Sequence, residues 1–390
     1  MIPPDQMRGL VAEVLPSVTE LRRAIHRNPE LSFQETATTQ RVASLLTDRG
    51  LRPRIRADGT GLVVEVGEGG RTVGFRADLD ALPIDEPADN PFASQVPGVM
   101  HACGHDAHTA MAAGIALALA RVDLPGKVRF IFQPGEESFP GGALTLVREG
   151  VADGLGSIVA FHVDPTLDPA QVGLRTGSVT GSADRFVIRL EGPGGHTARP
   201  HRTTDLIYAT GRLVTELPAL LDRLIDPRRP LAIVFGRVSG GTAENVIPTV
   251  VELGGTIRTL DHALWEEVPL LLESLAAQIV APTGAKASLS YQRGIPPVVN
   301  DPGVVDTARL AIAEALGPRS ITSTDTSMGA EDFSRYLEVV PGALLRLGSA
   351  SSHGGGDLHS AGFVFDEDAL ETGLIAGAAT LLRLLSPHRS

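Results

Sequence analysis

Residues 127–137, KVRFIFQPGEE, begin as an apolar run and end as a charged turn. A short stretch this rich in Val, Ile and Phe, stopped by Pro134–Gly135, reads as a strand buried on both faces. Three more runs of the same kind lie nearby: GLVVEV at 61–66, TVGFRA at 72–77 and SIVAFHV at 157–163. Helical patterns separate them. Leu10, Val14, Val18, Leu21 and Ile25 recur at helical spacing through residues 10–27, and a second such segment, 36–50, stops at Gly50. A third carries Met111, Ile115, Leu119 and Val122 on one face. Alternation of this kind predicts an α/β domain, a mostly parallel sheet with helices on both faces.

From about residue 180 the pattern changes. ADRFVIRLEG, LAIVFGRVSGG, VVELGGTIRTL and KASLSYQRG read as strands, with long helical stretches after the first and the third. That order, βαββαβ, predicts a ferredoxin-like α+β unit of four strands and two helices. Helix and strand patterns of the first kind resume near residue 295. The expected layout is a catalytic domain in two parts, 1–180 and 295–390, with the α+β unit, 181–294, inserted between them.

Composition narrows the partners. A chain of 390 residues suggests two domains, since single cores stop growing at roughly 250–300 residues. Acidic residues outnumber basic ones by 46 to 34, a net charge of −12, which would repel nucleic acid and anionic membrane surfaces. One cysteine allows no intrachain disulfide and fits a reducing compartment. The start, MIPPDQMRGLVAEVLP, lacks the basic and apolar segments of a secretion signal, and no apolar run approaches the ~20 residues a bilayer requires. A cytoplasmic protein that binds neither membrane nor nucleic acid is expected.

In open α/β sheets ligands bind beyond the carboxyl ends of the strands, and four chemically rich segments fall there. FRADLDALPI leaves its strand with Asp78 and Asp80; FIFQPGEE ends in Glu136 and Glu137; VAFHVDP ends with His162; and HACGHDAH opens a helix with Cys103 and His105. Cysteine, histidine and glutamate together make a metal-ligand set. A buried inert thiol and a Cys–His nucleophile pair are the alternatives for Cys103. Neighbours two apart in a tight loop more naturally face one ion. His101, Asp106 and His108 rank behind them as supporting groups. Adjacent glutamates can divide two tasks, one holding an ion and the other taking a proton from water. By spacing alone His359 is no better a candidate than His353.

HRNPELSFQE, FRADLDALPI, HACGHDAHTAM, FQPGEE, GGHTARPH, GTAENVIP, GTIR, MGAEDFS and DLHSAGFVFDE resemble, in order and along almost the whole chain, the motifs of the dinuclear metallo-amidohydrolases. That family includes N-acyl-amino-acid amidohydrolases, hippurate hydrolases and auxin-conjugate hydrolases. The resemblance implies two divalent ions per chain (Zn, Mn, Ni or Co) held by Cys103, His105, Glu137, His162 and His359, with Cys103 bridging. It implies a metal-bridged water, with Glu136 as the general base, hydrolysing the amide of an N-acyl amino acid. A dipeptidase or carboxypeptidase using the same centre is an alternative, as is a non-catalytic carboxylate- or metal-binding relative. The insert would be the family's lid and dimerisation domain, making the protein a homodimer or higher homo-oligomer. His196 would supply an oxyanion donor, often across the dimer, and Asn245 and Arg258 would hold the substrate carboxylate. Asp78 and Asp80 would support the ligands. Where relatives usually have a proline after the last histidine, this chain has Ser360 and Ala361.

Overall fold

The computed structural model describes residues 2–88, 90–351 and 355–386. They form two compact units: the first holds residues up to 179, 299–325 and those from 332 onward, and the second holds 180–298 with 326–331.

The first unit is built on a mixed eight-stranded sheet. Its strands run in the order Arg54–Ile55, Leu62–Val66, Lys127–Gln133, Thr72–Asp78, Leu155–Asp164, Gly342–Gly348, Val172–Leu174 and Ile321–Ser323. The middle four strands are parallel to one another, while Leu62–Val66 and Val172–Leu174 join them antiparallel. Every residue of Gly342–Gly348, and all but the first of Thr72–Asp78, is buried. Such burial requires cover on both faces, which explains the unbroken apolar runs. Parallel pairing has a functional consequence. It sets the carboxyl ends of Thr72–Asp78, Lys127–Gln133 and Leu155–Asp164 along one edge, with Asp78 paired to Gln133 in register.

Helix His105–Leu119 is buried all round, and not only on the face that Met111, Ile115 and Leu119 define. The reason is its neighbours. It packs against helices Pro4–Arg27 and Ala369–Leu385 and against strand Thr72–Asp78, and its many alanines allow that close approach. The helix stops at Leu119, so Val122 lies beyond it, partly buried against the same core.

The second unit is a four-stranded antiparallel sheet, ordered Leu231–Ser239, Val250–Thr259, Ala183–Glu191, Lys286–Ile295. Helices Leu206–Leu224 and His262–Val280 share its core, and Asp205 and Asp261 cap them by accepting the N–H of Tyr208 and Leu264. This is the split-βαβ strand order. Residues 326–331 belong here because Gly181 N–H donates to Ser327 and Gly329 carbonyls, and Arg258 Nη1 donates to Met328 O at 2.7 Å.

Gly114 marks one of the tight approaches in the helical layer. A Cβ there would lie 2.5 Å from Val18 and 2.6 Å from Leu374. Gly114→Val is expected to lower unfolding free energy by about 1–3 kcal/mol through overpacking, read as a lower urea midpoint with unchanged slope.

Candidate metal centre

Strand Thr72–Asp78 ends at the sheet edge, and the chain carries Asp80 just past it. Across the edge, strand Lys127–Gln133 runs into the Pro134–Glu137 turn, and strand Leu155–Asp164 brings His162 alongside. Cys103 and His105 flank Gly104, whose φ of 77° lies in the left-handed region before helix His105–Leu119 begins. No other residue fits at 104: a Cβ would sit 2.6 Å from Val163. His359 arrives from the returning chain with φ 60°, its N–H donating to Ala102 O at 2.9 Å.

These segments converge on the thiol. Cys103 Sγ lies 3.4 Å from His162 Nε2 and 3.3 Å from His359 Nε2, and His359 Nε2 lies 3.1 Å from Glu137 Oε1. His105 Nε2 is 4.0 Å from both Glu137 Oε1 and Glu136 Oε2. Ligand atoms about 2.0–2.3 Å from a tetrahedral ion lie roughly 3.3–3.8 Å from one another, so the spacing suits a metal. Cys103 belongs to two groups of potential ligands, one with His105 and His162, the other with Glu137 and His359.

The rings are also oriented as ligands. His105 donates Nδ1–H to Asp80 O at 2.9 Å, and His162 donates Nδ1–H to Val163 O at 2.8 Å. Each therefore turns Nε2 inward, the arrangement that metal-binding imidazoles commonly adopt. His105 Nε2 is buried with no hydrogen-bond partner among the described residues. A buried nitrogen left this way is costly unless something else occupies its lone pair.

Electrostatics point the same way. Hydrogen bonds to Cys103 and Glu137 push His359 up to about 10. Burial opposes a charge on His105, yet Asp78 and Cys103 hold it well above its usual value. Burial and then the Arg346 charge keep His162 well below, and so neutral. Burial pushes the Cys103 thiol up. A pocket that holds protons on two imidazoles so firmly is one that calls for positive charge. Divalent cations meet that demand by displacing the protons and ionising the thiol. The residues fit a metal.

Asp78 and Asp80 sit behind the candidate ligands. Asp78 Oδ1 accepts from His108 Nδ1 at 2.7 Å, and His108 Nε2 in turn accepts Val163 N–H at 3.0 Å. Asp78 Oδ2 meets Arg76 Nη1 at 2.6 Å. Asp80 accepts Glu136 N–H at 3.1 Å, Glu137 N–H at 2.9 Å and the Ser32 hydroxyl at 2.7 Å. Burial pushes the Asp80 carboxyl up, but hydrogen bonding and charge from His105, with the Ser32 and Glu137 bonds, hold it below its usual range.

Asp106 faces elsewhere, pinned by Arg22 Nε at 2.7 Å and His26 Nδ1 at 2.8 Å, so it ties the helix start to the first helix. His101 is buried with neither ring nitrogen paired among the described residues, and burial pushes it down to about 4.

Sequence reasoning missed several groups. Asp332, in the quoted MGAEDFS motif, accepts from Arg76 Nη2 at 2.7 Å, from Gln133 Nε2 at 2.8 Å and from Ala143 N–H at 2.9 Å. Its own N–H donates to Glu136 Oε1 at 3.4 Å. An arginine at the centre of an apolar strand, TVGFRAD, was the available signal, because a buried guanidinium needs partners.

His196, Asn245 and Arg258 belong to the second unit. His196 pairs with Val246 in a short ladder, and Thr197 N–H donates to Asn245 O at 3.2 Å, so His196 and Asn245 share one exposed corner. Arg258, on strand Val250–Thr259, is the residue bonded to Met328 O. His353 lies outside the described residues.

A family model described as peptidase family M20/M25/M40 matches residues 74–383. A Rhodococcus jostii protein with the provisional name glutamate–cysteine ligase 2-3 is 45% identical over 94% of this chain; the chain spans 46% of that protein's length. An N-acyl-L-amino acid amidohydrolase of Geobacillus stearothermophilus is 41% identical over 76% of this chain and 81% of its own. A Bacillus subtilis crystal structure, described as a dinuclear metal-binding peptidase of the M20 family, superposes with a TM-score of 0.84. It is 34% identical, and the match covers 96% of this chain and 99% of that one.

Asp80→Ala removes the acceptor for two N–H groups of the glutamate turn and for Ser32. Weakening such support around ligands costs about 10–100-fold in metal affinity, and that loss is expected for Mn or Zn in competition with a fluorescent chelator.

Proposed function

The chain belongs to peptidase family M20/M25/M40, and from that membership we propose that it hydrolyses the amide bond of N-acyl amino acids, releasing a carboxylate and a free amino acid. It is a metallo-amidohydrolase acting on small-molecule amides, in keeping with its relatives. The observation that carries the finer reading is Cys103 Sγ at 3.4 Å and 3.3 Å from His162 and His359. The thiol is a ligand in this reading, and not a nucleophile. Cys103, His105, Glu137, His162 and His359 would hold the ions.

Divalent ions bound there supply a Lewis acid for the acyl carbonyl and lower the pKa of water at the site. Glu136 takes the proton of the attacking water and returns it to the leaving amine. Its carboxylate is held for this by the Asp332 N–H at 3.4 Å, on a turn whose Glu136 and Glu137 N–H groups are spent on Asp80. Asp80 and Val163 carbonyls fix the His105 and His162 rings. His196 stabilises the developing oxyanion, a task in which one well-placed donor contributes strongly. Arg258 and Asn245 hold the carboxylate of the amino-acid half; a guanidinium suits that group through paired hydrogen bonds. That carboxylate requirement separates an aminoacylase from a general amidase.

Glu136→Gln is expected to lower kcat on N-acetyl and N-benzoyl amino acids about 10²–10⁴-fold, while elemental analysis finds the same metal content as wild type. Wild-type turnover in that variant would overturn the role given to Glu136. Exhaustive chelation is expected to abolish amino-acid release, and adding back Mn, Zn, Ni or Co one at a time to restore it. Activity indifferent to chelation would sink the metal-dependent reading.

A further inference from the structure

The N-terminal motif PELSFQE, residues 29–35, has no catalytic task assigned to it, yet Phe33 and Glu35 meet the glutamate turn at Gly135 and Ser32 meets Asp80. Glu30 accepts the N–H groups of Ala37 at 3.0 Å and Thr38 at 2.7 Å, anchoring the start of helix Thr36–Asp48. Leu31 bridges Ala81, and Ser32 donates to Asp80. Phe33 adopts φ 63°, a left-handed conformation that is strained for an aromatic residue. Its ring covers Gly135 so closely that a Cβ there would lie 2.5 Å away. Strain of this kind persists only where the surroundings dictate it, and it gathers at working sites.

Glu35 completes the clamp. It is 0% exposed, and its Oε1 accepts the Gly135 N–H at 2.8 Å. The three successive N–H groups of Gly135, Glu136 and Glu137 are thus divided between two buried carboxylates, Glu35 taking the first and Asp80 the other two. Glu35 Oε2 is buried without a partner among the described residues. A buried carboxylate with one oxygen unpaired costs free energy that an apolar side chain would not.

We propose that Glu35 is a positioning residue for Glu136: it holds the Gly135 end of the turn so that the general base meets the substrate water in one orientation. This rests on the reading of Glu136 as the base. Asp80 holds the Glu136–Glu137 side of the turn, and Glu35, with Gly142 N–H donating to Gly135 O at 2.9 Å, holds its Gly135 side. Gly135 itself, at φ 68°, would otherwise be the natural hinge. Burial, with the Asp80 charge beside it, pushes Glu35 up to about 7, so near neutrality it is partly protonated. Either form keeps an oxygen that accepts the amide, and glutamine therefore mimics it.

The test compares Glu35→Ala and Glu35→Gln in the metal-loaded full chain. Misplacing a catalytic group by a fraction of an ångström to an ångström costs roughly 10–100-fold. Glu35→Ala is expected to lose that much kcat, with KM changed less than about twofold and metal content unchanged. Hydrogen exchange at the Gly135 amide is expected to quicken. Glu35→Gln is expected to restore both the kcat, to within about threefold of wild type, and the amide protection. The proposal is overturned if the alanine variant keeps wild-type kcat and protection, if it loses metal along with activity, or if glutamine fails as badly as alanine. Should wild type itself hydrolyse no N-acyl amino acid, the functional reading fails first. The exchange comparison then still decides whether Glu35 holds the turn.

Discussion

One buried carboxylate ties the site together. Asp80 accepts from Ser32, from two N–H groups of the glutamate turn, and through its backbone carbonyl from His105. Those bonds tie the strand exit to three other segments far apart in sequence: the N-terminal motif, the start of the buried helix and the glutamate turn. A carboxylate taken out of water is stable only when its oxygens are satisfied. Asp80 is therefore satisfied only when all four segments are in place, and in that state Cys103, His105 and Glu137 are in place as well.

A second buried network, made by Arg76, Asp78, Gln133 and Asp332, lies beneath the first. The two together explain the charge pattern of the centre. Anions from Asp78 and Glu137 and the sulfur of Cys103 face imidazoles whose protons they hold tightly, His105 and His359 above all. His162 is held neutral by burial and then by the charge of Arg346. A thiol in that place is easiest to understand as a partner for cations. Burial pushes the thiol up, and divalent cations bound beside it would favour the thiolate.

Backbone strain is concentrated on the same few residues. Among the described residues, Phe33 and His359 are the two non-glycine positions with positive φ, and both flank the centre. Gly104 and Gly135, also left-handed, sit next to Cys103 and Glu136. His359, followed by Ser360 and Ala361, reaches Cys103. What holds it is local: its N–H on Ala102 O and its ring on the thiol and Glu137.

Strand runs, the helix spacing and the change of pattern near residue 180 were legible because burial on a sheet or a helix face repeats at fixed intervals. Charged residues at the ends of apolar runs marked the edge where chemistry would gather, and the motif resemblance supplied the ligand set. Other features were silent. Nothing in the spacing separates His359 from His353, or indicates that helix His105–Leu119 is buried all round, since both depend on what packs alongside. Glu35, Asp332 and Gln133 looked like ordinary polar residues; only the folded chain brings them to Gly135 and Arg76 across 100, 256 and 57 positions. The sequence by itself determined the fold class and the kinds of atom available to a metal. Tertiary structure decided which of those atoms meet, because hydrogen bonds between distant segments follow from packing geometry, to which local periodicity is blind.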